Sequence, residues 1–257
     1  MVATAHYLGS DAALDVLKQG GSAVDAAICA AATLGVMIPH MIGIGGDAFW
    51  LIYDAKSRKV HALNGSGPCG RNIRTSDSAA ATSIPHRGPR AAITVPGAVD
   101  SWRLAYEKFG RLPLARLMEP AINYARHGSP VSNDLAGWIH DDREALGADP
   151  GAADVFLDGG TPYAPGARLI QSALANTLEQ IGAEGPHSFY DHDGRSIAAY
   201  LQERGGALTA EDFTDYRARW VDPISTRYRG FDAYQLPPPS QGMAGLLILN
   251  FLEGLDL

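Results

Sequence analysis

The 257-residue chain has only two cysteines, no run of basic residues and no apolar stretch long enough to span a bilayer. Each shortage removes a class of function. Two thiols cannot build a disulfide framework, and neither Cys29 nor Cys69 has histidines at metal-site or papain-like spacing, so both are read as structural or incidental. Cys29 falls in an alanine-rich apolar segment as a small buried hydrophobe, and Cys69 in a Gly/Pro/Ser loop. A formal net charge of −7 with no Lys/Arg cluster leaves nothing to neutralise phosphates, and no nucleic-acid partner is expected. Ala26 to Met37 and Gly245 to Leu252 are the longest apolar stretches. They fall short of the ~20 residues a spanning helix needs and are read as buried helices, so no membrane partner is expected. The N-terminus has no basic region followed by a hydrophobic core and cleavage site. With Met1 as the true start the expected location is the cytoplasm, unless a signal peptide precedes it. The eight histidines show neither a helical metal-ligand pair nor a Ser/His/Asp order. No metal and no cofactor are expected. His40 is the one histidine singled out, and its ordinary role would be a helix-terminal residue bonding backbone carbonyls.

What is present is a globular composition, 46% hydrophobic, enough for a sizeable core and read as one domain over residues 1–257. The chain turns on Pro39 to Tyr53, where the glycines Gly43, Gly45 and Gly46 run into the apolar stretch Phe49 to Tyr53. That stretch is expected to be a strand covered on both sides. The glycines either make a tight helix-to-strand turn or line a site, and their place before a strand weakens a phosphate-cradling role.

Upstream, Ser10 is a candidate cap for a helix through Ala12 to Leu17 that stops at Gly20-Gly21, and Ser22 with Asp25 opens a second, nearly all-apolar helix. Downstream, Phe49 to Tyr53 and Val60 to Leu63 are expected to pair as an antiparallel hairpin ending at Asn64-Gly65-Ser66-Gly67-Pro68. Asn72 to Ala91 reads as irregular, Ile93 to Val95 as a short strand, and Ala98 to Phe109 as a helix. Leu112 to Gly128 is helical with a kink or break at Pro120, and Leu135 to Leu146 is a further helix. Gly147 to Gly166 is expected to be a surface excursion. Leu174 to Ile181 and Ile197 to Arg204 read as helices, and Thr209 caps another. Ile224 to Tyr228 and Phe231 to Leu236 form a strand pair turned at Arg229-Gly230. Met243 to Leu252 reads as a last buried helix.

Several segments, in order along nearly the whole chain, resemble the large subunit of the γ-glutamyltransferase family. They are Met1-Val2-Ala3-Thr4, Gln19 to Ala27, Pro39-His40-Met41 with Gly43 to Gly46, Val95-Pro96-Gly97, Phe109 to Pro113, and Pro237 to Gly242. The resemblance implies an α+β fold, the αββα four-layer sandwich of N-terminal nucleophile hydrolases. It also implies a precursor that cleaves itself into large and small subunits. The new N-terminal threonine of the small subunit would then be the nucleophile, its own α-amino group the base. That threonine and the family's oxyanion-hole glycines belong to the small subunit. No catalytic residue is therefore expected in this chain, which would supply one wall of the substrate pocket. The implied partners are the small subunit from the same precursor and a small amide substrate, with a doubled heterodimer as one further assembly.

One departure bears on the substrate. In authentic γ-glutamyltransferases the returning strand of the hairpin ends in Asp-Phe-Arg-Glu, whose arginine grips the α-carboxylate of the glutamyl group. Here Asn64-Gly65-Ser66-Gly67 follows Leu63, and Ser66 stands where that arginine would be. A neutral hydroxyl cannot replace a bidentate ion pair. The resemblance is therefore closer to the cephalosporin acylases and oxamate amidohydrolase-like members than to glutathione-cleaving enzymes. A true γ-glutamyltransferase is the first alternative, and a non-catalytic large chain acting as an assembly partner is the second. Asn64, Ser66 and Arg87 are the candidate substrate-binding residues. Arg87 or Arg90 would bring a carboxylate-binding cation from the next loop, the ordinary alternative being surface arginines bonded to loop carbonyls.

Overall fold

The computed structural model describes residues 1–73 and 84–256. It holds two compact units, Met1–Ile44 with Tyr106–Phe189, and Gly45–Ala105 with Tyr190–Leu257. Part of the stretch expected to be irregular, residues 74–83, lies outside the described residues.

The first unit is built on the Ala23–Met37 helix. Ser22 and Asp25 form the reciprocal cap that the sequence suggests: Asp25 N donates to Ser22 Oγ at 3.0 Å and Ser22 N to Asp25 Oδ2 at 2.8 Å. Its side chains are small all round, so neighbouring helices approach closely and bury most of its length. Tyr7–Lys18 and Leu114–His127 pack on it, and Ser172–Glu184 packs on Leu114–His127. Behind it, Gln171 Nε2 donates to the Val36 carbonyl at 2.9 Å.

Three sequence expectations are corrected and one is refined in this unit. The first helix begins at Tyr7, capped by His6, whose Nδ1 accepts from Leu8 N at 3.3 Å; Ser10 lies inside it and its hydroxyl meets Thr4 Oγ1 at 2.9 Å. Pro120 does not break Leu114–His127. It can give no hydrogen bond to the Arg116 carbonyl, but Leu117, Met118, Ala121 and Ala125 are fully buried, and their packing outweighs one lost bond. The stretch expected to be a surface excursion does lie at the surface, with only Leu157 buried, but it carries regular structure. Asp149 caps the Pro150–Phe156 helix, and Leu157–Asp158 pairs with Thr161–Pro162 across Gly159 and Gly160, both at positive φ. Leu157 then joins Val131, Leu135, Ile139 and Leu169 in a small core. The helix expected from Leu135 to Leu146 is two pieces, Asn133–Asp141 and Arg143–Gly147.

Cys29 is fully buried in the Ala23–Met37 helix, and burial pushes its thiol up to about 11. The folded chain therefore holds this proton more tightly than the unfolded chain, whose thiol titrates near 9.0. The stabilisation is complete below pH 9 and lost as pH rises through 11. Cys29 is expected to resist Ellman's reagent at pH 8 in the native protein and to react within minutes after unfolding in urea. Equal rates in the two states would contradict this placement.

The second unit carries the hairpin the sequence predicts. Ala48–Asp54 pairs antiparallel with Lys59–Gly65 in the register Ala48 to Gly65 through Asp54 to Lys59, and Arg219–Val221 pairs on the other side of Lys59–Gly65. On one face Trp50 Nε1 donates to Ser101 Oγ at 2.9 Å, bringing the start of the Ala98–Phe109 helix against the sheet beside the fully buried Leu63. The opposite face is open. Phe49, Leu51 and Tyr53 stand 44%, 41% and 62% exposed, so this chain does not cover Phe49 to Tyr53 on both sides as expected. A continuous apolar run reads as doubly buried, but the alternation here points every second side chain away from the helix layer.

Ile224–Tyr228 and Phe231–Gln235 form the second predicted hairpin, with Arg229 and Gly230 at positive φ in the turn. Gly242–Glu253 packs on it. Only Leu246 of that helix is buried, and Met243, Leu247, Ile248 and Phe251 are exposed, which corrects the expectation of a buried helix. Thr209 and Asp212 cap Ala210–Asp215 as the sequence suggests. Of the strand expected at Ile93 to Val95 there is a single bridge, Thr94 to Cys69.

Candidate functional site

The loop at the end of the central strand is held from every side. Asn64 is buried, and its Oδ1 accepts both Ser66 N at 2.8 Å and Ser66 Oγ at 2.7 Å, so the serine hydroxyl is turned back on the loop. Gly67 N donates to Asp47 Oδ1 at 3.1 Å, and Tyr216 Oη donates to the Ser66 carbonyl at 3.3 Å. The Pro68 carbonyl accepts Val95 N at 3.0 Å. Next to it, the Gly46 carbonyl accepts both Gly97 N and Ala98 N at 2.9 Å. The end of the glycine loop, the end of the central strand and the Val95-Pro96-Gly97 turn are thereby fastened together.

Glycine is required at this junction by space and not by φ. A Cβ on Gly67 would stand 1.6 Å from the Val95 carbonyl oxygen, one on Gly97 2.1 Å from the Gly65 carbonyl oxygen, and one on Gly65 2.5 Å from Ser101 Cβ. By contrast, a Cβ on Gly45 would meet nothing within 4 Å. Neither Gly43, Gly45 nor Gly46 takes a positive φ.

Beneath the loop lies a buried polar group. Asp100 Oδ2 accepts Ala218 N at 2.6 Å and its Oδ1 accepts Arg103 Nε at 2.7 Å. Tyr190 Oη donates to the Pro96 carbonyl and accepts Asp100 N, both at 2.9 Å. Tyr190 and Tyr216 lie 5.8 Å apart between ring centroids. Burial first, with the Asp100 carboxylate adding, pushes both phenols well above their ordinary range, and Asp47 raises Tyr216 further. Both hydroxyls stay protonated at neutral pH and act as donors, not as bases. Arg71 braces the other side of the loop, bonding Asp212 Oδ1 at 3.0 Å and Asp215 Oδ2 at 2.9 Å.

Of the residues suggested by sequence, Asn64 and Ser66 are thus brought together at one point. Arg87 is exposed in the stretch before Ile93, and Arg90 lays its side-chain stem beside Gly205. His40 is not bonded to carbonyls as expected: its Nε2 meets Asp134 Oδ2 at 2.8 Å, its ring stacks on Trp138, and its Nδ1 is buried with no partner among the described residues. Sequence reasoning missed Asp47, Asp100, Tyr190 and Tyr216, whose roles depend on pairings across the fold. Only Asp47 carried a local signal, being the first acid after the glycine loop.

The gamma-glutamyltranspeptidase family model matches residues 9–257. The chain is 43% identical, over its whole length and 49% of the relative's, to the glutathione hydrolase-like YwrD proenzyme of Bacillus subtilis. It is 36% identical to the oxamate amidohydrolase proenzyme of Klebsiella pneumoniae, again over its whole length and 50% of the relative's. The crystal structure of cephalosporin acylase from Bacillus halodurans superposes with a TM-score of 0.89 at 36% identity, over 97% of this chain and 48% of that one. The chain spans about half the length of the curated relatives it matches. The fold is that of the N-terminal nucleophile hydrolases, as the sequence motifs imply. Matched over almost all of its residues by the family model, the chain belongs to the gamma-glutamyltranspeptidase family.

Proposed function

We propose that this chain is the large-subunit part of a self-processing amide hydrolase or acyltransferase, active only together with a small subunit from the same precursor. The observation that carries the reading is the open apolar sheet face of Phe49, Leu51 and Tyr53, together with the exposed Met243, Ile248 and Phe251. Apolar surface on that scale needs covering, and the other half of the relatives' length is the polypeptide available to cover it. The names of those relatives as proenzymes support processing of one precursor into two chains.

In this reading the small subunit's N-terminal threonine attacks the substrate carbonyl through its hydroxyl, with its own α-amino group taking the proton. The amine leaves, and water or a second amine resolves the acyl ester. The present chain contributes the wall formed by Asn64 and Ser66, rigidly fastened through Asp47, Tyr216 and the Val95-Pro96-Gly97 turn. Arg87 is the cation proposed from sequence to approach that wall. Ser66 argues for an acylase-like substrate over glutathione: its hydroxyl is already engaged with Asn64 and offers no charge to an α-carboxylate.

The protein expressed from its full reading frame is expected to release p-nitroaniline from small acyl p-nitroanilides once processed, and not before. Processed two-chain protein that is inert on every amide tried would overturn the reading. Ser66→Arg is expected to add cleavage of γ-glutamyl-p-nitroanilide, by about tenfold or more over the parent, since a bidentate charged pair is worth on the order of 1.5–3 kcal/mol. No gain would mean that more than one residue separates this wall from a glutamyl site.

A further inference from the structure

Asp100 is shut from water in the first turn of the Ala98–Phe109 helix, one residue before Ser101, against which Gly65 packs. A carboxylate in such a place is strongly disfavoured unless its oxygens are engaged. Oδ1 accepts Arg103 Nε at 2.7 Å, which balances the charge within the same helix. Oδ2 accepts Ala218 N at 2.6 Å, 118 residues away in sequence. That second bond fixes the point where the chain leaves Tyr216, at the end of the Ala210–Asp215 helix, and enters the strand Arg219–Val221.

Two tyrosines carry this fixed point to the loop. Tyr216 Oη donates to the Ser66 carbonyl at 3.3 Å, and a Cβ on Gly97 would stand 2.6 Å from the same hydroxyl, so the phenol is confined between the loop and the Val95-Pro96-Gly97 turn. Its ring lies 5.8 Å from that of Tyr190, whose Oη accepts Asp100 N and donates to the Pro96 carbonyl, both at 2.9 Å. Asp47 Oδ1 accepts Gly67 N at 3.1 Å. The Ser66 carbonyl and the Gly67 N–H belong to one peptide unit, which is planar, so Tyr216 on one edge and Asp47 on the other fix its orientation.

We infer that Asp100 is a positioning residue for the amide-hydrolase reaction: through Ala218 and Tyr216 it sets the orientation of the Ser66–Gly67 peptide, and with it the wall that Asn64 and Ser66 present to the substrate. The inference rests on the amide-hydrolase reading. Asp100 is buried and acts through Tyr216, not on the substrate itself. Without its carboxylate, Ala218 N loses its acceptor, the segment that carries Tyr216 is released, and the Ser66 carbonyl is free to turn. A displacement of about 1 Å in a substrate-holding wall is enough to cost on the order of 100-fold.

The test uses the processed protein from the full reading frame and two readouts. Hydrogen exchange is followed by mass spectrometry on peptides covering residues 64–70 and residues 48–54, and KM and kcat are measured separately on the p-nitroanilide that the parent cleaves best. Asp100→Ala and Tyr216→Phe are each expected to speed exchange in the loop peptide about tenfold while the hairpin peptide is unchanged. Both are expected to raise KM about tenfold or more and to lower kcat less than about threefold, the pattern of lost substrate binding. The double variant is expected to lose no more in kcat/KM than Asp100→Ala alone, because the two side chains act in series on one peptide. Asp100→Asn, which keeps an oxygen for Ala218 N, is expected to recover most of the KM loss. Unchanged loop exchange in both single variants overturns the inference, and so does exchange that rises equally in both peptides, which marks a loss of global stability alone. Losses in kcat/KM that multiply in the double variant overturn it too. If Asp100→Ala gives no soluble protein, Tyr216→Phe decides by the same loop exchange and KM. If no amide is turned over, the amide-hydrolase reading fails, and loop exchange alone still decides whether Asp100 governs the Ser66–Gly67 peptide.

Discussion

Replacing Asp25 by alanine is expected to destabilise the protein by about 3–5 kcal/mol, because it strips the acceptor from three backbone N–H groups at about 1–3 kcal/mol each. Asp25 is fully buried at the start of the Ala23–Met37 helix, and its carboxylate does two tasks at once. It closes the capping box by accepting Ser22 N at 2.8 Å, and it accepts Arg111 N at 3.0 Å and Leu112 N at 3.3 Å from a loop 86 and 87 residues away in sequence. The alanine variant leaves these three N–H groups without their acceptor, and an unsatisfied buried donor costs about 1–3 kcal/mol. Loss of a helix cap alone would cost only about 1 kcal/mol. Asp25→Asn retains one acceptor oxygen and is expected to lose roughly half as much as alanine. Urea denaturation followed by circular dichroism checks both, and a change below about 1 kcal/mol for Asp25→Ala would show that the loop bonds contribute nothing beyond the cap.

Gly67→Ala is expected to prevent correct assembly of the candidate site, and with it any activity. A methyl group at Gly67 would lie 1.6 Å from the carbonyl oxygen of Val95 and 2.6 Å from its carbon. These are backbone atoms, so no rotamer relieves the clash. Either the end of the central strand or the Val95-Pro96-Gly97 turn must move, breaking the Gly67–Asp47 and Pro68–Val95 hydrogen bonds. We expect a loss of more than about 3 kcal/mol, or insoluble protein, in line with the upper tail of single substitutions. Gly45→Ala is the control. The methyl meets nothing within 4 Å and the backbone needs no positive φ, so stability is expected to stay within about 0.5 kcal/mol. Comparable loss in both variants would mean that the glycine loop, and not the Gly67 contact, governs the junction.

The two substitutions also mark where sequence reasoning succeeded and where it stopped. Local chemistry was readable wherever one segment decided the outcome: the Ser22/Asp25 and Thr209/Asp212 caps, the Arg229-Gly230 turn and the Ala98–Phe109 helix were all found from spacing and residue type. The fold class came from ordered motifs and not from periodicity. Errors and omissions arose where tertiary packing overrode local preference. Pro120 sits inside a helix because a fully buried face holds that helix together, and the Gly/Ala/Asp/Pro-rich stretch before Gly166 folds because Leu157 reaches a core built by residues on both sides of it. The exposed faces of Phe49 to Tyr53 and Met243 to Phe251 could not be told from buried ones by hydrophobicity, since both are apolar.

The same limit applies to the site. Asn64 and Ser66 were singled out as candidates because they fall at a strand end where a family motif changes. Asp47 lies 20 residues before its partner Gly67, Tyr216 lies 150 residues after Ser66, and Asp100 stands 118 residues from Ala218, so no spacing rule connects them.

The central claim is that this chain is one half of a self-processed hydrolase, and intact mass spectrometry of the protein expressed from its full reading frame tests it most directly. The account predicts two polypeptides that co-purify, the second beginning with threonine, together with an unprocessed precursor when that threonine is replaced by alanine. A single uncleaved chain that remains soluble and inert, or a second polypeptide with another N-terminal residue, would contradict it.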